Sequence, residues 1–211
     1  ARDKHGSNAL DWAAGAGNLA VCKYLVESVR FDPNTRCDTG RCDGRSALHW
    51  AARNGHVPIC RYLVQDCKID VNLGTKDGTT PFHWAIWQSH FACAKWLVLQ
   101  KADPKAMNAY KCTAVHWAAL AGDRKIFEWL ETLGLEVFRA NSQGHTAMHK
   151  AGWKNRKDVL EWLVTLPQAH EHISKPDNNG YTPYDITELA GHDELAYWIK
   201  GHAHKMEGSR R

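Results

Sequence analysis

A short theme returns along this chain at nearly constant intervals, and no other feature limits its fold as much. It reads Ala47-Leu48-His49-Trp50-Ala51-Ala52, then Pro81-Phe82-His83-Trp84-Ala85-Ile86, then Ala114-Val115-His116-Trp117-Ala118-Ala119. A fourth version, Ala147-Met148-His149-Lys150-Ala151-Gly152, changes the Trp, and diverged versions stand at residues 9–14 and 183–186. Measured at the large apolar position, the copies lie 38, 34, 33, 33 and 36 residues apart. An aromatic follows 14 residues later in every copy: Tyr24, Tyr62, Trp96, Trp129, Trp162 and Trp198. A period of this length means a stack of small units, none able to bury its apolar side alone.

Local signals define the unit. A Gly turn (Asp43-Gly44, Asp77-Gly78, Gln143-Gly144, Asn179-Gly180) precedes Ser46, Thr80, Thr146 and Thr182, and Thr113 holds the same place in its copy. These hydroxyls suit a helix N-cap, where an oxygen accepts an orphan N–H of the first turn. Pro81 and Pro183 follow directly, at positions where a missing N–H costs nothing. The short Ala-rich helix should end at Gly17, Gly55, Gly122 or Gly191, with Ser89 and Asn155 in the same role. A second helix is predicted over residues 57–64, 91–98 and 126–133, from apolar residues at three- and four-residue spacing.

With those residues in place, Gly78-Thr79-Thr80-Pro81-Phe82-His83-Trp84-Ala85 resembles the Gly-x-Thr-Pro-Leu-His-x-Ala core of ankyrin repeats. Arg53-Asn54-Gly55-His56 is similar to that family's inter-helix segment, and Ile69-Asp70-Val71-Asn72 to its closing turn. The resemblance spans about residues 3–200 and implies an all-α repeat solenoid: helix-turn-helix pairs joined by β-hairpin-like turns. Repeats are expected at about 3–34, 41–72, 75–104, 108–138, 141–173 and 177–200, followed by a C-terminal tail at 201–211. It further implies that His49, His83, His116 and His149 are structural hydrogen-bonding residues near the hairpin. Since the chain opens inside a turn, further repeats in a longer precursor are an open expectation.

Composition narrows the chemistry. Lys+Arg 27 against Asp+Glu 23 gives a formal charge of +4, too slight to favour nucleic acid by electrostatics alone. No apolar run reaches the ~18–20 residues of a membrane span. Seven Cys without a pairing ladder favour a reducing intracellular compartment: cytoplasm or nucleus first, mitochondrion as the alternative. Cys37-x4-Cys42 is the one close pair, and His170-x-His172 and His202-x-His204 are isolated doublets. None completes a ligand set, so no metal and no cofactor are expected. Nucleophile, phosphate-loop and zinc-protease motifs are missing, which argues against an enzyme.

The expected business of the chain is therefore recognition. Trp12, Trp50, Trp84 and Trp117 occupy one first-helix slot, and the resemblance implies that they are buried between repeats, as are the second-helix aromatics. Trp87 and Trp153 stand instead at first-helix ends, where family members face the concave groove. The expected partner-binding set is Arg45, Arg53, Asn54, Lys76, Trp87, Gln88, Tyr110, His145, Trp153, Lys154 and Tyr181. Basic and aromatic residues together suit a protein partner. They also suit RNA, so a structural subunit of a ribonucleoprotein, such as an organellar ribosome, is the alternative. A third reading makes the repeats the recognition arm of a larger enzyme.

Overall fold

Each copy of the theme opens a helix whose first turn is capped from both directions. The computed structural model describes residues 3, 6–37 and 43–208, and these divide into two compact units, Ala1–Ala109 and Tyr110–Arg211. In the first unit, α1 (Ala9–Gly15), α3 (Ala47–Arg53) and α5 (Pro81–Trp87) are the first helices. Their partners are α2 (Leu19–Lys23), α4 (Val57–Arg61) and α6 (Phe91–Leu99). The helices α2 and α4 run on into π-helical turns at Tyr24–Ser28 and Tyr62–Asp66. In the second unit, α7 (Ala114–Ala121), α9 (Ala147–Trp153) and α12 (Pro183–Leu189) pair with α8 (Arg124–Thr132), α10 (Lys157–Leu163) and α13 (Asp193–Gly208). A short α11 (Ala169–His172) occupies the long connection before α12.

Within the first unit α1 packs on α3 and α3 on α5; within the second, α7 packs on α9 and α9 on α12. The large apolar residue of the theme fills these contacts, with Leu10, Leu48 and Phe82 in one unit and Val115 and Met148 in the other all sealed from solvent. Each is worth roughly 1.5–3 kcal/mol of transfer free energy. Second helices add Ile59, Leu63 and Leu97, and Ile126, Leu130 and Leu160. No strand forms among the described residues. The turns are tight hairpins, in which Thr75, Asn141 and Asp177 donate their N–H to the carbonyls of Thr79, His145 and Tyr181.

All six inter-helix positions take the left-handed conformation: Gly17, Gly55, Gly122 and Gly191 at φ 79°, 74°, 87° and 79°, Ser89 at 57° and Asn155 at 54°. Ser89 and Asn155 thus hold a backbone that glycine adopts without cost.

The structure departs from expectation in four places, the first being the second-helix aromatic slot, where Tyr24 is 61% exposed and only Tyr62 and Trp162 are buried. Residues 201–208, read as tail, continue α13. Cys37 is buried and disulfide-bonded, while Cys22, Cys60, Cys67, Cys93 and Cys112 are thiols. Most consequentially, the first-helix Trp slot is buried between repeats only at Trp84: Trp12 is 62% exposed and Trp50 and Trp117 are half-buried. The reason is angular. At 3.6 residues per turn, a residue two beyond Leu48 sits about 200° round the helix from it, away from the packed side. Lys4, His5, residues 38–42 (with Cys42 of the close pair), Arg210 and Arg211 lie outside the described residues.

Candidate functional site on the turn and first-helix faces

Histidine at the third helical position sets the geometry of this face. The N–H of Ser46, Thr80, Thr113 and Thr146 donates to Nδ1 of His49, His83, His116 and His149, at 3.3, 3.1, 3.1 and 3.2 Å. An amide N–H can only donate, so Nδ1 carries the lone pair and Nε2 carries the proton. Each Nε2–H then donates across to the next turn: to the carbonyls of Thr79, Ala106, His145 and Tyr181, at 3.1–3.2 Å. The imidazole is both a capping-box acceptor and a tie between neighbouring repeats. Burial holds all four well below the ordinary imidazole value, at about 4. In the end copies, Asp11 and Asp185 hold the same place and accept from Asn8 N–H and Thr182 N–H.

In the first unit, the face of α3 and α5 carries an interleaved stack of rings and guanidiniums. Trp50 and Trp84 meet edge to face at 5.8 Å, and Trp87 meets Trp84 at 5.9 Å. Arg45 lies 4.8 Å from the Trp84 ring centre and 5.6 Å from that of Trp50; Arg53 lies 5.6 and 5.4 Å from the same rings. The Nε of each Arg and the Nε1 of Trp84 are buried without a hydrogen-bond partner. Arg45 is paired with Asp43 at 3.6 Å. Arg53 has no ion pair among the described residues. Asn54 is exposed and donates to the Gly15 carbonyl at 2.7 Å. Lys76 and Gln88 are exposed and stand apart from the stack.

In the second unit a groove of about 350 Å³ is lined by Gln143, His145, His149, Lys150, Trp153, Ile186, Leu189 and Ala190. Trp153 is 47% exposed, with Lys154 at 4.8 Å and Lys150 at 5.7 Å from its ring. His145 Nε2 lies 3.0 Å from the buried Asp177 carboxylate. Burial and the Lys150 ammonium nonetheless keep His145 below its ordinary value, against the pull of Asp177. Burial likewise lowers Lys150. Tyr110 and Tyr181 are exposed at turn tips, outside this lining.

The expected residues thus gather into an Arg45–Arg53–Trp87 group in one unit and a His145–Trp153–Lys154 group in the other. Sequence reasoning missed Trp12 and Trp50 as face residues, and missed Lys150 altogether. The signal was present, because Lys150 fills the slot that holds Trp elsewhere, and an ammonium does not belong in an apolar core.

Among the described residues no group of three or more His, Cys, Asp or Glu side chains could hold a metal, and no helix is long and apolar enough to cross a membrane. A search of curated proteins returned no match. The family described as Ankyrin repeats (3 copies) matches residues 10–108 and again 93–177, leaving the last helix pair beyond the matched region. Over most of its length, in theme, capping chemistry and helix pairing alike, this chain belongs to the ankyrin-repeat family.

Proposed function

We propose that this chain is a non-catalytic protein-interaction module whose turn-tip and first-helix faces grip a partner protein. Ankyrin repeats are generally protein-interaction modules, which supports the reading. The observation that carries the reading is Trp153: a large indole, half out of water, held by two flanking ammoniums over an open groove. A pre-ordered aromatic at the edge of a groove is the commonest kind of binding anchor, because little side-chain entropy is lost on contact. Lys154 and His145 stand beside it in the same unit, and in the other unit Arg45, Arg53 and Trp87 form a contact group of their own.

The test is affinity capture of the tagged chain from its native cells at low and high salt, with and without nuclease. A protein retained through both treatments, and reduced when Trp153→Ala is the bait, supports the reading. Material that is lost with nuclease and falls steeply with salt would replace it with the ribonucleoprotein alternative.

A further inference from the structure

The Arg53 guanidinium lies 5.4 and 5.6 Å from the ring centres of Trp50 and Trp84, and among the described residues no anion pairs with it. Its Nε is sealed, no carboxylate of the described residues pairs with it, and it borders a groove of about 390 Å³ between α1 and α3. Ser7, Asp11, Trp12, Trp50 and Asn54 line the same groove. Trp12 stands at its rim, 62% exposed, with its Nε1–H fixed to Asp3 Oδ2 at 3.1 Å. The groove therefore offers a pre-ordered planar cation beside a pre-ordered apolar plate.

We propose that this groove docks a segment of a partner protein that carries a single Asp or Glu beside an apolar residue: the carboxylate pairs with Arg53 while the apolar side chain lies on Trp12. The inference rests on the protein-interaction reading and names the chemistry it selects. A guanidinium held against aromatic rings can still offer its terminal N–H donors to a carboxylate, and the ring contacts have already reduced the entropy that such a pair normally costs. The neighbouring carbonyl that would repel a carboxylate, Gly15 O, is already taken by Asn54 Nδ2 at 2.7 Å and His56 Nε2 at 3.1 Å. Arg45 shows the pairing in miniature with Asp43. A nucleic-acid backbone fits less well, since Asp3, Asp11 and Asp43 on the same face would repel successive phosphates. One isolated carboxylate meets no such run.

The test is selection of a phage-displayed library of random linear peptides on the folded chain, followed by titration of the enriched peptides against variants. Peptides placing Asp or Glu beside an aromatic or aliphatic residue should emerge. Their affinity should fall at least about tenfold with Arg53→Gln, and by a similar factor with Trp12→Ala. Arg53→Lys should also weaken them, because an ammonium keeps the charge but not the planar fork. Trp12 is exposed, so its variant keeps the wild-type urea midpoint and reports on binding alone. Peptides without acidic preference, or peptides that ignore Arg53 and depend on Trp153, would overturn the groove assignment while leaving the protein-interaction reading intact. Failure of every form to select a peptide would overturn both. Labelled poly(U) binding at physiological salt through Arg53 would overturn the proposal in favour of RNA.

Discussion

His49 Nε2 lies 3.1 Å from the carbonyl oxygen of Thr79, thirty residues further along the chain, while Nδ1 of the same ring accepts the Ser46 N–H. One imidazole thereby closes its own helix cap and ties that helix to the next turn. The arrangement needs a neutral ring with a fixed tautomer, because a proton on Nδ1 would face a donor N–H.

That requirement makes stability depend on pH. Burial holds His49, His83, His116 and His149 near 4 in the folded state, below the ordinary imidazole value of 6.5. The unfolded chain therefore binds protons that the folded chain refuses, and stability is fully present above about pH 6.5. It should fall as the pH drops from there towards 4, by up to about 3 kcal/mol for each ring. Urea midpoints measured from pH 7.5 down to pH 5 check the slope. Imidazole resonances of these four residues titrating near 6.5 in the folded protein would contradict it.

Two positions with the left-handed backbone carry side chains that prefer otherwise, Ser89 at φ 57° and Asn155 at φ 54°. Ser89→Gly should raise stability by about 0.5–1 kcal/mol, since the strain relieved exceeds the extra freedom given to the unfolded chain. Asn155→Gly should gain less, because Asn tolerates this region better than other residues. Thermal or urea unfolding of the two variants tests both the sign and the order.

Gly152 owes its identity to a neighbour. It lies in the last turn of α9, where Ala is intrinsically better by up to about 1 kcal/mol, and other copies of the theme do hold Ala52 or Ala119 there. A Cβ at Gly152, however, would overlap Thr187 Oγ1, on a side chain that is buried and donates to Pro183 O at 2.6 Å. Gly152→Ala should thus destabilise by about 1–3 kcal/mol despite its propensity. Adding Thr187→Ala removes the overlapping hydroxyl, so the double variant should recover most of that loss. A simple sum of the two single effects would show that the contact is not the cause.

The period, the caps and the left-handed positions are written locally, which is why the helix pairs and their ends were legible in the sequence. Ser46, Thr80 and Gly122 act on atoms within a few residues of themselves. The faces were harder, because a slot does not determine an environment. Trp12 and Trp84 share one position of the theme, but only Trp84 has Trp50, Trp87, Arg45 and Arg53 around it. Trp12 sits in the first described helix, with Asp3 as its hydrogen-bond partner and open water beside it. That no described carboxylate pairs with Arg53 was equally invisible, since it depends on which carboxylates lie nearby in space.

That contrast predicts opposite outcomes for one substitution made at one repeat position. Trp84 is 8% exposed and supports two guanidiniums and two indoles, so Trp84→Ala should cost about 3–5 kcal/mol and free Arg45 and Arg53 to move. Trp12→Ala removes an indole that is mostly in water and should change stability by no more than about 0.5 kcal/mol. Trp84→Phe, which keeps a ring but loses the unpartnered Nε1–H, should fall between them, because the smaller ring leaves a void while removing a buried donor. Urea unfolding of the three variants orders them. Equal losses at Trp12 and Trp84 would mean that the slot, rather than its surroundings, sets the energy, and the ring–guanidinium stack would then contribute nothing of its own.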